Sequence, residues 1–234
     1  EYFLISLHIS SSVTAPQHLH TLSLWWQFAK AMLIVAAGFA TAAVTNTIRD
    51  RIRRTTVSIT ETAESFSRFV PHEFLTFLGK DHVEQIKLGD QVQREMTILF
   101  CDIRSYTSMS EKMTPQQNID FLNGYLMSAG PVIRKNGGFI DKYIGDAIMA
   151  LFPGDPDDAL AAAHGILRQL EEFNALRAVS GDEPIAVGIG IHTGLLMLGT
   201  IGETNRLDTT VISDAVNIAS RLEGLTKEFG VQVV

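Results

Sequence analysis

The chain of 234 residues is poor in the residues that build disulfides and nucleic-acid surfaces. It has one cysteine, Cys101, so an internal disulfide and a cysteine-based zinc cluster are both excluded. Lys and Arg number 19 against 26 Asp and Glu, which gives a formal net charge of −7. This acidic balance argues against nucleic acid as a main partner, because phosphate backbones are bound by basic faces. It leaves open a nucleotide held through a divalent metal, since the metal supplies positive charge.

Lys and Arg are also absent from the first 21 positions, which precede an apolar run from Leu22 to Val44 with a single charge. The run is about long enough to cross a bilayer. Four arginines follow it: Arg49, Arg51, Arg53 and Arg54. This asymmetry predicts a transmembrane helix over residues 22–45, in the inner or plasma membrane, with its C-terminal side in the cytoplasm.

Two other interpretations of the apolar run stay open, a buried helix of a soluble domain and a cleaved signal. A signal would carry its basic residues before the apolar run. Residues 1–21 are then an extracytoplasmic or partial preceding segment, and Glu1 in place of an initiator Met favours a fragment.

Residues 46–91 have a helical and moderately polar pattern, which predicts a connector between membrane and domain. Apolar residues recur there at helical spacing: Phe66, Phe69, Val70, Phe74 and Leu78. Pro71 interrupts the pattern, so two helices or one kinked helix are expected. We expect the apolar stripe to take part in a dimer contact.

Residues 92–234 alternate between strand and helix patterns and predict an α+β domain. The apolar run MTILFC indicates a buried strand, and the segments GGFIDKYIGDAIMALF and IAVGIGIHTG indicate a hairpin and a further strand. LLMLGTIG is taken as another strand, and Gly130-Pro131 as a break or kink in the first helix. The order βαββαβ is that of a ferredoxin-like plait, extended by one strand and one helix.

Two carboxylates in this domain are candidates for a metal site. Asp102 directly follows the buried strand, and Asp146 lies at the tip of the hairpin. Each alone fits an ordinary turn or helix cap. In the plait, however, the first strand lies beside the hairpin, so the two carboxylates can converge and bind Mg²⁺ or Mn²⁺. This arrangement indicates two-metal phosphoryl transfer.

Asn217 and Arg221 are four residues apart on the last predicted helix and therefore share one face. From the residues alone, a solvated helix face explains them as well as a functional role does. Cys101 lies inside a strand and is expected to be inert packing.

The ordered set ILFCDIRSYT, GGFIDKYIGDAIMALF, GIGIHTG and VNIASRLE resembles the class III nucleotide cyclases, over residues 92–234. The resemblance implies that Asp102 and Asp146 bind two Mg²⁺ or Mn²⁺ ions per active site, and that Ile103 adds a backbone carbonyl. It implies that Lys142 and Thr210 contact the base.

Guanylyl cyclases typically have Glu and Cys at these two base-contacting positions, so Lys142 with Thr210 favours ATP as substrate. The resemblance further implies that Asn217 orients the ribose and that Arg221 stabilises charge on the transferring phosphate.

The activity implied by the resemblance is that of an adenylyl cyclase in signal transduction, which converts ATP to 3′,5′-cyclic AMP and pyrophosphate. Family members act as head-to-tail homodimers, with metal residues from one subunit and Lys142, Thr210, Asn217 and Arg221 from the other. The family domain also continues beyond the point where this sequence stops, so the domain is expected to be C-terminally truncated. A guanylyl cyclase and a non-catalytic membrane-tethered dimerisation module are the alternatives.

Overall fold

A computed structural model describes residues 17–67, 70–204 and 206–234, and divides into the compact units Glu1–Thr62 and Ala63–Val234. Residues 1–16 of the predicted preceding segment lie outside the described residues. The helices are α1 (Gln17–Ser67), α2 (His72–Phe77), α3 (Tyr106–Ser110), α4 (Pro115–Lys135), α5 (Pro156–Val179) and α6 (Asp214–Phe229), with a 3₁₀ turn at Val83–Gln85. The strands are β1 (Gln91–Ile103), β2 (Phe139–Ile144), β3 (Ala147–Phe152), β4 (Val187–Glu203) and β5 (Arg206–Ile212).

The described part of the first unit is helical and belongs to α1. The segment Leu24–Arg53 of this helix has a mean hydropathy of 1.7 and no buried residue. By length and composition this is a candidate membrane span, and it contains most of the predicted run. Threonine hydroxyls inside it donate to carbonyls four residues earlier, for example Thr41 Oγ1 to Ala37 and Thr45 Oγ1 to Thr41, both at 2.8 Å. Polar groups satisfied within the helix are what a lipid environment requires.

The second unit is built on one antiparallel sheet in the order β2-β3-β1-β4-β5. This confirms the predicted α+β plait, with β1 beside the β2–β3 hairpin. The part of β1 from Met96 to Cys101 is buried at every position, because helices cover both faces of the sheet there. Leu99 and Cys101 pack in the core with α4 and α5, whereas Ile98 and Phe100 pack with Phe74 of α2 and with α6.

Helix boundaries follow their capping residues. Thr114 and Gln117 form a capping box before α4, Asp155 accepts from the Asp157 N–H before α5, and Ser213 accepts from the Ala215 N–H before α6. The predicted interruption at Pro71 is confirmed, since α2 begins directly after it. Phe69 of the predicted stripe lies outside the described residues.

Two predictions about this unit are wrong. Residues 185–194 and 195–202 are not two strands, because the β1 ladder runs through Met96–Gly194 and Glu95–Leu195 and makes β4 continuous. The fifth strand is β5, which pairs with the end of β4. Helix α4 also continues through Pro131 to Lys135 without the predicted break.

Candidate active site

Asp102 and Asp146 come together at one end of β1. Cys101 pairs with Ile148, so two further steps along the antiparallel ladder place Ile103 beside the turn that holds Asp146. The Ile103 N–H donates to Asp102 Oδ1 at 3.1 Å and to Asp146 Oδ2 at 3.3 Å. The predicted convergence of the two carboxylates is therefore present within one chain.

The turn that carries Asp146 depends on glycine. Ile144 pairs with Ala147, which leaves Gly145 and Asp146 as a two-residue hairpin loop. Gly145 has φ of +64°, as the first position of such tight hairpin turns requires. The turn thus fixes the Asp146 carboxylate at the end of the hairpin nearest to β1.

The two carboxylates form an electrostatically unfavourable pair. Partial burial, followed by the neighbouring Asp102, raises the pKa of Asp146 to about 7. Among the described residues neither carboxylate has an ion pair, and Arg104, the nearest cation in sequence, pairs with Glu223 at 3.1 Å. A bound cation would relieve this repulsion.

The donor set fits a hard divalent metal. Mg²⁺ and Mn²⁺ favour carboxylate oxygens, and Mg²⁺ keeps several waters, so two carboxylates can suffice. Within the described part of the chain no group of three or more His, Cys, Asp and Glu is assembled. The pair Asp102 and Asp146 is thus the candidate metal site, with the Ile103 carbonyl as the further predicted ligand.

Lys142 contacts the backbone of β5 next to Thr210, and its described partners do not include Asp146. Its Nζ donates to the Thr209 carbonyl at 3.3 Å and lies 3.5 Å from Asp141 Oδ2. Strands β2 and β5 are at opposite ends of the sheet order, so the contact shows that β5 curls back to the lysine. Lys142 is therefore close to the segment of β5 that holds Thr210, the other predicted base-contacting residue.

Asn217 and Arg221 are exposed on α6, and the described contacts do not join them to the two aspartates. The buried side of α6 is formed by Ala215, Ala219 and Thr226. The structure thus leaves these two predicted residues on the outer face of the helix.

Two residues near the site were missed by sequence reasoning. Arg104 follows Ile103 directly and reaches α6, where it bonds to Glu223 and to the Thr226 hydroxyl. Asp141, beside Lys142, is buried. Their position next to predicted site residues was the available signal, because the partners of Arg104 are distant in sequence and the approach of Asp141 to Lys142 depends on the pairing of β2.

Cys101 is packing, as predicted. It is fully buried, its Sγ lies 3.1 Å from Tyr125 Oη, and burial raises the pKa of its thiol to about 12. A thiol held in the neutral form is a poor nucleophile and metal ligand.

Comparison with known proteins identifies relatives of the chain. A model of the adenylate and guanylate cyclase catalytic domain matches residues 88–234. An adenylate cyclase from Anabaena cylindrica is 52% identical over 179 residues, which cover 74% of this chain and 36% of the relative. The chain therefore spans about a third of that relative's length.

Two solved structures share the fold. A bacterial light-regulated adenylyl cyclase has a TM-score of 0.64 at 26% identity. The match covers 79% of this chain and 54% of that structure's chain. The guanylyl cyclase Cya2 has a TM-score of 0.52 at 36% identity, with 59% of this chain and 72% of that one covered.

Proposed function

The chain belongs to the family of adenylate and guanylate cyclase catalytic domains, and from this we propose that it converts ATP to 3′,5′-cyclic AMP and pyrophosphate. The observation that carries the proposal is the meeting of Asp102 and Asp146 at the Ile103 N–H. In the reaction the ribose 3′-oxygen bonds to the α-phosphorus while the bond from that phosphorus to the bridging oxygen breaks. The hydroxyl proton is released to solvent, and pyrophosphate leaves.

Asp102, Asp146 and the Ile103 carbonyl would hold two Mg²⁺ or Mn²⁺ ions. When bound, such ions activate the attacking hydroxyl and neutralise charge on the leaving phosphates. Arg221 would stabilise the charge that develops on the transferring phosphate, and Asn217 would orient the ribose. Preorganised positive charge of this kind is worth several kcal/mol of barrier, about 3–4 for a single donor.

The choice of ATP over GTP is supported by Lys142, which donates to the Thr209 carbonyl next to Thr210. The ring edge of adenine presents N1 as an acceptor, which the Lys142 ammonium can donate to. Guanine carries a hydrogen on N1, so a cationic donor placed there would be repelled. Because Cya2 is a guanylyl cyclase with the same fold, the base-contacting residues and not the fold must make this choice.

Homodimerisation is part of the proposal, since Asn217 and Arg221 are exposed on α6 and have no described contact with the two aspartates of their own chain. A head-to-tail pair of chains would bring the α6 residues of one subunit to the aspartates of the other. A signal that changes the geometry of this pair would then regulate the enzyme.

The direct test is turnover of ATP and GTP by the full-length protein with Mg²⁺ or Mn²⁺. We expect faster cyclisation of ATP and loss of activity in Asp102→Ala. Faster cyclisation of GTP would overturn the substrate assignment, unchanged activity of Asp102→Ala would overturn the metal assignment, and no turnover of either nucleotide would favour a non-catalytic module.

We also propose that α1 crosses the membrane, with the cyclase domain on the cytoplasmic side. The candidate span Leu24–Arg53 and the arginines at its C-terminal end support this orientation. The protein should stay in the membrane fraction after an alkaline wash and be released by detergent. Recovery in the supernatant without detergent would rule out the anchor.

A further inference from the structure

Asp141 is a buried carboxylate without a hydrogen bond. Its side chain has 0% exposure, and neither Oδ1 nor Oδ2 has a hydrogen-bond partner among the described residues. Burial raises the pKa of this group, and the charge of Lys142 opposes that effect. Buried polar groups are nearly always hydrogen-bonded, so a carboxylate left in this state has a cost that needs an explanation.

A β-bulge in β2 directs Asp141 and Lys142 to the same place. Ile140 pairs with Ala150 and Lys142 pairs with Met149, so Asp141 has no residue opposite it. In a regular strand two successive side chains point to opposite faces of the sheet, whereas a bulge re-aims them. As a result the Asp141 carboxylate lies 3.5 Å from the Lys142 ammonium.

The Lys142 ammonium has two partners within the protein and is also partly exposed to solvent. The Thr209 carbonyl accepts from it at 3.3 Å, and Asp141 Oδ2 lies at 3.5 Å. The Lys142 side chain is 37% exposed, while that of Asp141 is not exposed at all. An ammonium group has three N–H donors. The Thr209 carbonyl takes one of them and Asp141 acts as a counter-ion at 3.5 Å, so a donor is left for a ligand.

We propose that Asp141 is a positioning residue for selection of the substrate base, holding the Lys142 ammonium so that its free donor meets the ring nitrogen N1 of adenine. This inference rests on the proposed adenylyl cyclase function and adds to it a residue that does not touch the substrate. A flexible lysine held at one point loses less entropy when it binds the base, which strengthens its discrimination.

The test compares Asp141→Asn with Asp208→Asn in the full-length protein. Asp208 is the matched control, because its carboxylate is exposed on β5 and interacts electrostatically with Asp141. We expect Asp141→Asn to lower the ratio of kcat/KM for ATP to that for GTP by about tenfold, equivalent to about 1.4 kcal/mol. Asp208→Asn should change this ratio less than about twofold, as surface charges usually do.

A double-mutant cycle shows whether Asp141 acts through Lys142. In a Lys142→Gln background, Asp141→Asn should have no further effect on selectivity, because the group that it positions is gone. An additive loss would overturn the proposal. So would an Asp141→Asn variant that unfolds at a different temperature but keeps the wild-type selectivity, since that is the result of a purely structural role.

Binding keeps the inference separate from the proposed reaction. The affinities for α,β-methylene ATP and α,β-methylene GTP can be measured by calorimetry. In Asp141→Asn the preference for the ATP analogue should be lower than in the wild-type protein, even if no cyclase activity is found. If no nucleotide is turned over but the preference for the ATP analogue falls in this way, the proposed cyclisation is rejected and the positioning role of Asp141 is supported. An unchanged ratio of the two affinities would reject the positioning role. If Asp141→Asn does not fold, Asp141→Ser takes its place.

Discussion

The candidate site has two groups of residues, the two aspartates and the pair on α6. They differ in whether contacts within one chain bring them into the site. The first end, called the metal end, consists of Asp102 and Asp146. These two side chains are partly buried, both accept from the Ile103 N–H and repel each other when ionised. On α6, Asn217 and Arg221 are exposed and meet neither aspartate. The candidate metal site is thus brought together by the fold of one chain, whereas no described contact of the same chain joins Asn217 and Arg221 to it.

This difference supports the proposal that a second copy completes the site. An exposed Arg contributes little to the stability of its own chain, and this leaves Arg221 accessible to a second subunit. The comparison also makes the two ends experimentally separable, because substitutions at one should leave the other intact.

The largest expected effect comes from mixing inactive variants. Asp102→Ala and Arg221→Ala should each lose activity at least about a hundredfold. Co-expressed in equal amounts, they should recover about a quarter of wild-type activity, because half of the dimers are mixed and each has one intact site of two.

The matched control is a mixture of Asp102→Ala with Asp146→Ala, which should stay inactive because both residues belong to the same end. Recovery in this control, or none in the first mixture, would show that the two ends do not come from different subunits.

A second prediction concerns the packing of α6 on β4, which can be disturbed without changing Asp102 or Asp146. A side chain at Gly190 would overlap the Glu223 N–H and the Ala219 carbonyl, both part of the α6 backbone. Gly190→Ala should therefore lower the free energy of unfolding by about 2–3 kcal/mol, measured in urea, and displace α6. Mn²⁺ binding at the metal end, followed by electron paramagnetic resonance, should persist.

Gly224→Ala on α6 is the control for this substitution, because nothing lies within 4 Å of its added carbon. It should raise the free energy of unfolding slightly, by about 0.5–1 kcal/mol, through helix propensity. Equal destabilisation by both substitutions would contradict the proposed close packing of α6 on β4.

The smallest effect concerns the repulsion at the metal end. The pKa of Asp146 is about 7 in the fold against a usual 3.8, so its ionisation opposes folding above pH 7. Asp146→Asn should therefore stabilise the metal-free protein at pH 8 by about 1 kcal/mol, after allowance for solvent screening. The gain should shrink as the pH falls from 7 towards 4, where Asp146 is protonated in both states.

Thermal unfolding with and without Mg²⁺ measures this effect. Mg²⁺ should stabilise the wild-type protein and have little effect on Asp146→Asn, because binding to the native state alone raises stability. A variant that is less stable than wild type at pH 8 without metal would contradict the electrostatic account.

Much of the fold was predictable from local patterns. The apolar run in β1 indicated a strand covered on both faces, and Thr114, Asp155 and Ser213 mark helix starts through side-chain caps that are local in sequence. The division of 185–202 into two strands failed at Gly194, because the ladder with β1 is a distant contact that overrides the local break signal.

The sequence alone determined which residues could form the site, since residue types and their order are local properties of the chain. Only the tertiary structure decided which of them meet. Lys142 and Asp146 are four residues apart, yet the bulge at Asp141 directs the lysine to β5 and the turn directs Asp146 to β1. The physical reason is that side-chain direction in a hairpin depends on strand register, which is set by pairing with residues far along the chain.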